Sequence, residues 1–302
     1  MSSTFNTASA GLPSLHLPTR HWQKWLSALV SGLLLVAIAT QLAHLDLRQL
    51  LSAIPASPGF WLALAAYYLA LPASEWIIFR RLWRLPIEGF AALLRKLVSN
   101  EILLGYSGEL TFYAWARRHG GLTSAPFGAI KDVSVTSALA GNIATIVMIA
   151  IAWPFLGELH AGIATRDIAL SVGVILLVSI AVAVFNRRIF SLPGGALRFL
   201  LGVHLSRLVA TTCLSALMWH CALPAVSVTL WLALAALQLL VTRLPFVPNK
   251  DLVFANATIL LVGEHSDIGS LIAVVAGLIL VTHLIVGALL SATALIGEAS
   301  AS

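Results

Sequence analysis

Between two apolar runs, residues 231–241 and 252–262, stands Arg-Leu-Pro-Phe-Val-Pro-Asn-Lys-Asp, residues 243–251. Its two prolines end a helix, and neither flanking run has the roughly 20 residues that cross a bilayer core. In lipid such a break would leave backbone groups unpaired, so it has to be enclosed by protein or face a wet cavity. The sequence therefore predicts two half-helices meeting inside a membrane. Ionisable residues at that depth are costly, which makes those at the break the first candidates for function.

The rest of the chain agrees with that depth. Of its 302 residues 59% are hydrophobic and only 10% charged, whereas soluble domains carry about 25% charged residues. The reading is an all-α polytopic membrane protein. Its formal charge of +6 is assigned to short cytoplasmic loops and not to a nucleic-acid surface, so no nucleic-acid partner is expected. Cys213 and Cys221 lie in one apolar run and are read as small packing residues, because their spacing fits neither a ligand set nor a disulfide frame. No HExxH, GxSxG, P-loop or paired-carboxylate pattern is present, so no enzyme activity, metal or cofactor is expected.

Taken in order, residues 1–19 read as a disordered cytoplasmic tail and 20–297 as one transmembrane domain, with a short tail at 298–302. Spans are expected near residues 25–43, 60–79, 133–155, 168–185, 199–223 and 271–296. The basic groups Arg80, Arg81, Arg84 and Arg117, Arg118 mark the cytoplasmic side. Because both lie inside, the segment between them is not a single span. It is either an interfacial helix or a re-entrant hairpin turning at Gly105-Tyr-Ser-Gly-Glu109. Glu75, in the last turns of the second span, is read as a partner for Arg80.

The same reasoning puts both ends of the 231–262 hairpin outside. The expected architecture is about six full spans plus two oppositely oriented re-entrant hairpins, an inverted-topology repeat with halves near 20–160 and 161–297. Transporters built this way hold their substrate near the bilayer midplane, at the broken elements. Localisation to a bacterial cytoplasmic (inner) membrane, with both termini cytoplasmic, completes the expectation.

Gly108-Glu109, the aromatics after it and Arg117-Arg118-His-Gly-Gly121 resemble the "GE…R…RR.G" block of the flippase-like family, the lysylphosphatidylglycerol synthase transmembrane-domain group. Leu244-Pro-Phe-Val-Pro248 is similar to the family's second block, "lP..PGG.G..E". Where that block has glycines, this chain has Asn249, Lys250 and Asp251, and Ala255 stands near the place of its glutamate. The resemblance covers roughly residues 20–297 and implies a lipid translocase without the soluble synthase domain. Its implied partner is a membrane phospholipid or other polar lipid, with a lipid-modifying enzyme or a second copy of the chain as further partners.

The candidate substrate-binding residues are Glu109, Arg117, Arg243, Asn249, Lys250 and Asp251. Cations there suit a phosphate, and carboxylates suit an amine or hold the cations when the site is empty. Other readings stay open: Lys250 and Asp251 as a mutual ion pair, Arg243 as a snorkelling side chain, and Glu109 as a helix cap. Glu101, His204 and Arg207 are secondary candidates, the last two alternatively interfacial anchors. His283, Asn142 and Asn256 are read as hydrogen-bonding to neighbouring helices. A secondary transporter of a small polar solute, or a subunit supporting a lipid-linked glycosyl or acyl transferase, are the competing functions.

Overall fold

The computed structural model describes residues 54–103, 106–119, 126–152, 189–241, 250–251, 253–255, 258 and 267–299. Its elements are α1 (Pro58–Trp83), α2 (Glu88–Ile102), α3 (Ser107–Arg118), α4 (Pro126–Ala152), α5 (Gly194–Ala222), α6 (Val228–Val241) and α7 (Asp267–Ala299). Lys250, Asp251 and residues 253–255 are helical too. The all-α expectation holds throughout the described residues. Three helices, Pro58–Trp83, Gly194–Ala222 and the Asp267–Thr293 part of α7, are long and apolar enough to cross a membrane. The N-terminal tail and the spans expected at 25–43 and 168–185 lie outside the described residues, as do Arg243 and Asn249.

Outward-facing side chains fit a lipid environment. Leu62, Leu69 and Ile77 of α1, Val209 and Leu217 of α5, and Ile285 and Leu289 of α7 are all exposed. In water so much exposed apolar surface on one small bundle would drive aggregation; in hydrocarbon it costs nothing.

α1 runs the length of α5, which also receives α4 and α6. At one end Trp219, Trp231 and Phe254 stack around Phe60 and Ile272. At the other, Phe79, Trp83 and Phe112 form an aromatic layer joined by Leu93 and Leu200. The guanidinium groups of Arg80 and Arg81 lie over Trp76 and Phe199, 4.7 and 4.2 Å from the ring centroids. Cations in the last turn of α1 also meet the negative end of its dipole.

α2 and α3 pair as a helical hairpin. α2 has 15 residues, about 22 Å at the usual rise, well short of a bilayer core of about 30 Å. Its end, with Val98 and Ile102, packs on Leu280 and Leu284, near the middle of the 33-residue α7. The turn is made by Tyr106 at φ 73°. It is tied by the Gly108 N–H donating to Asn100 Oδ1 at 2.6 Å, and by Ser107 Oγ donating to the Ser99 carbonyl at 2.8 Å. Gly108 is required by close approach: a Cβ there would lie 2.1 Å from the Lys96 carbonyl oxygen.

Asp132, fully buried on α4, accepts the N–H groups of Ser191 and Leu192 at 2.7 Å each, just before α5 begins. Lys131 beside it donates to the Ile189 carbonyl. Bonds from backbone donors to a carboxylate are among the stronger ones, so Asp132→Asn is expected to lower stability by about 2 kcal/mol. The measurement is the thermal unfolding midpoint in detergent; an unchanged midpoint would remove this tie from the account.

Candidate functional site

Lys96 is the centre of the buried charge. It sits in mid-α2, only 4% exposed, and its Nζ is 2.5 Å from Glu75 Oε1 of α1 and 3.3 Å from Glu109 Oε1 of α3. Glu75 therefore pairs with Lys96, a correction to the expected Arg80 partner. Arg80 instead turns to the Trp76 ring, because residue 75 faces α2 while residue 80 lies at the helix end. Glu109, in the first turn of α3, is held from the other side by Ser134 of α4, whose Oγ donates at 3.4 Å.

His204 and Arg207 of α5 face the same interior. His204 is fully buried, and among the described residues neither ring nitrogen has a well-formed hydrogen bond, although the ring lies beside the Val133 backbone. Arg207 donates from one terminal nitrogen to Ser137 Oγ of α4 at 3.2 Å, while its buried Nε has no partner among the described residues. α5 starts at Gly194, so His204 is about 15 Å along the helix, not at its mouth.

A second polar cluster lies where the end of α2 meets the helical turn at Lys250. The Glu101 carboxylate faces the backbone N–H of Lys250, as an acid does at a helix start. Asp251 Oδ1 accepts from Gln238 Nε2 of α6 at 2.9 Å and is faced by the Tyr67 hydroxyl of α1. Gln238 also donates to Tyr67 at 3.2 Å and accepts from Ser215 Oγ of α5 at 2.9 Å. The structure thus brings Glu101, Lys250 and Asp251 together; Glu109 pairs with Lys96, whose charge also acts on His204, and Arg207 lies near His204 and Glu75. Arg117 is apart from both, exposed in the last turn of α3.

Lys96, Tyr67 and Gln238 are participants that sequence reasoning missed. Lys96, Ser99 and Asn100 do stand at i, i+3 and i+4, one face of α2, and a lone Gln in an apolar half-helix is itself a signal. His283 meets its expectation, paired with Tyr68: its Nδ1 lies 3.1 Å from the Tyr68 hydroxyl.

Gln238 ties Tyr67 of α1, Ser215 of α5 and Asp251 to α6, so Gln238→Leu should lower stability by about 1–2 kcal/mol by leaving Asp251 and Ser215 short of a partner. Thermal unfolding in detergent reads it, and Gln238→Glu, which keeps the acceptor for Ser215 but repels Asp251, should fare no better.

The two clusters place charged and polar groups of both signs inside a bundle whose outer faces are apolar. No protein-family model matches the chain, and neither a curated protein nor a solved structure is significantly similar to it.

Proposed function

We propose that this chain is a membrane-embedded translocator of polar lipid head groups, non-enzymatic, working through a groove at half the depth of the membrane. The observation that supports it most is the placement of Lys96, Glu75, Glu109, His204 and Arg207 inside a bundle whose outer faces are apolar. Buried ions of both signs are expensive to keep and have a use when a zwitterionic or anionic group has to pass.

In this reading α2–α3 is a re-entrant hairpin entering from the cytoplasmic side, and the α6–Lys250 break is its opposite from the outside, as an inverted repeat requires. The half-length of α2 and the meeting of its end with Lys250 favour that arrangement. The resemblance of residues 108–121 and 244–248 to the flippase-like family points the same way. Acyl tails would stay in lipid while the head group crosses. The home membrane would be a bacterial inner membrane, with both termini cytoplasmic and further copies or a lipid-modifying enzyme as partners.

The test is leaflet exchange in vesicles reconstituted with the full chain, using fluorescent lipids of several head groups and a membrane-impermeant quencher. Protein-dependent quenching beyond the outer-leaflet half is the expected result. Exchange no faster than in protein-free vesicles, for every head group, would overturn the proposal.

A further inference from the structure

The interior between α3, α4 and α5 has unused hydrogen-bonding capacity of both signs. Among the described residues, Arg207 Nε and Glu109 Oε2 have no partner, and His204 has no well-formed hydrogen bond, only the Val133 backbone beside its ring. These atoms are buried, and burying polar groups without partners costs free energy unless a ligand or water meets them. The two sides are held by one helix: Ser134 carries Glu109, and Ser137 carries Arg207. Those serines are three residues apart on α4, hence on one face and separated by about 5–6 Å between Cβ atoms.

Charge decides what fits. Facing this interior are two carboxylates, Glu75 and Glu109, and two cations, Lys96 and Arg207. With the balance already even, a lone anion would add an uncompensated charge to a buried site, and so would a lone cation. A ligand with one negative and one positive group, one helical turn apart, keeps the balance. It also satisfies both sets of free atoms.

We infer that this interior is a binding site for a phospho-amine group, a phosphate diester or monoester joined by two carbons to a primary ammonium. Arg207 and His204 hold the phosphate, since a guanidinium gives directed N–H donors and an imidazole gives at least one in either charge state. Glu109 accepts from the ammonium through Oε2 while Oε1 stays on Lys96. The inference rests on the head-group translocator reading and narrows its substrate to zwitterionic amino-phospholipids. The same chemistry occurs in water-soluble phosphoethanolamine.

Binding by the detergent-solubilised full chain tests this without requiring transport. The probes are short-chain phosphatidylethanolamine, short-chain phosphatidylglycerol, phosphoethanolamine and inorganic phosphate, read by calorimetry. The wild type should prefer the ethanolamine lipid to the glycerol lipid by about tenfold, the size of one charge-assisted hydrogen bond. Arg207→Gln should weaken both lipids, and Glu109→Gln should erase only the preference. If Glu109→Gln does not fold, Ser134→Ala should reduce the preference in the same sense. Phosphoethanolamine binding as tightly as the lipid would keep the site and make its ligand soluble. Equal affinity for the two lipids, inorganic phosphate binding as tightly as either, or binding of none would overturn the inference. Selective binding without leaflet exchange would refute translocation alone.

Discussion

Lys96→Met is expected to unfold the bundle more readily than any other single change to its polar interior. Both partners of Lys96, Glu75 at 2.5 Å and Glu109 at 3.3 Å, would be left as adjacent buried carboxylates with no cation between them. Removing one member of a buried ion pair typically costs about 3–5 kcal/mol, most of it from the charge left behind. The pair itself contributes far less net stability, because desolvation offsets the attraction. The triple variant Lys96→Met, Glu75→Gln, Glu109→Gln should therefore recover most of the lost stability while losing any head-group binding. Thermal unfolding of the wild type and these two variants in detergent, beside leaflet exchange, separates the two roles. If Lys96→Met unfolds at the wild-type temperature, the buried triad is not what holds α1, α2 and α3 together.

The second large effect is steric. Gly108→Val places a Cβ 2.1 Å from the Lys96 carbonyl oxygen and 2.8 Å from Asn100 Oδ1. The first contact is backbone and has nowhere to go, so α3 must move off α2. That motion also breaks the Gly108 N–H bond to Asn100 and lengthens the Lys96–Glu109 contact. A loss of about 3 kcal/mol follows, the upper end for overpacking. Crosslinking between cysteines placed across the hairpin should fall in the variant, and undiminished crosslinking would show that the close approach is not needed.

Much of the fold was legible because lipid imposes a simple rule on sequence: runs of apolar residues ended by charges. The spans expected at 60–79, 199–223 and 271–296 correspond to α1, α5 and α7, each starting two to five residues earlier than expected. The basic clusters on either side left the segment around Gly105–Glu109 as an interfacial helix or a re-entrant hairpin, and α2 and α3 do pack against one another. Partners were harder to read. Nothing in the neighbourhood of Glu75 shows that its cation lies 21 residues on, since tertiary pairing leaves no local trace. Nor does the sequence around Arg207 show that Ser137 of α4 is its partner. Tyr67 and Gln238 sat inside apolar runs where a single polar atom hardly changes mean hydropathy.

The two acids around Lys96 come one from before it in the chain and one from after, at residues 75 and 109. During synthesis Glu75 has left the ribosome before Lys96, and Glu109 follows. The ammonium thus meets first an acid on the helix made before it, and the later acid arrives once the α2–α3 hairpin closes. If α2 enters the membrane as proposed, α1 is in this sense a template for biogenesis, because the acid that meets the Lys96 ammonium is made before it.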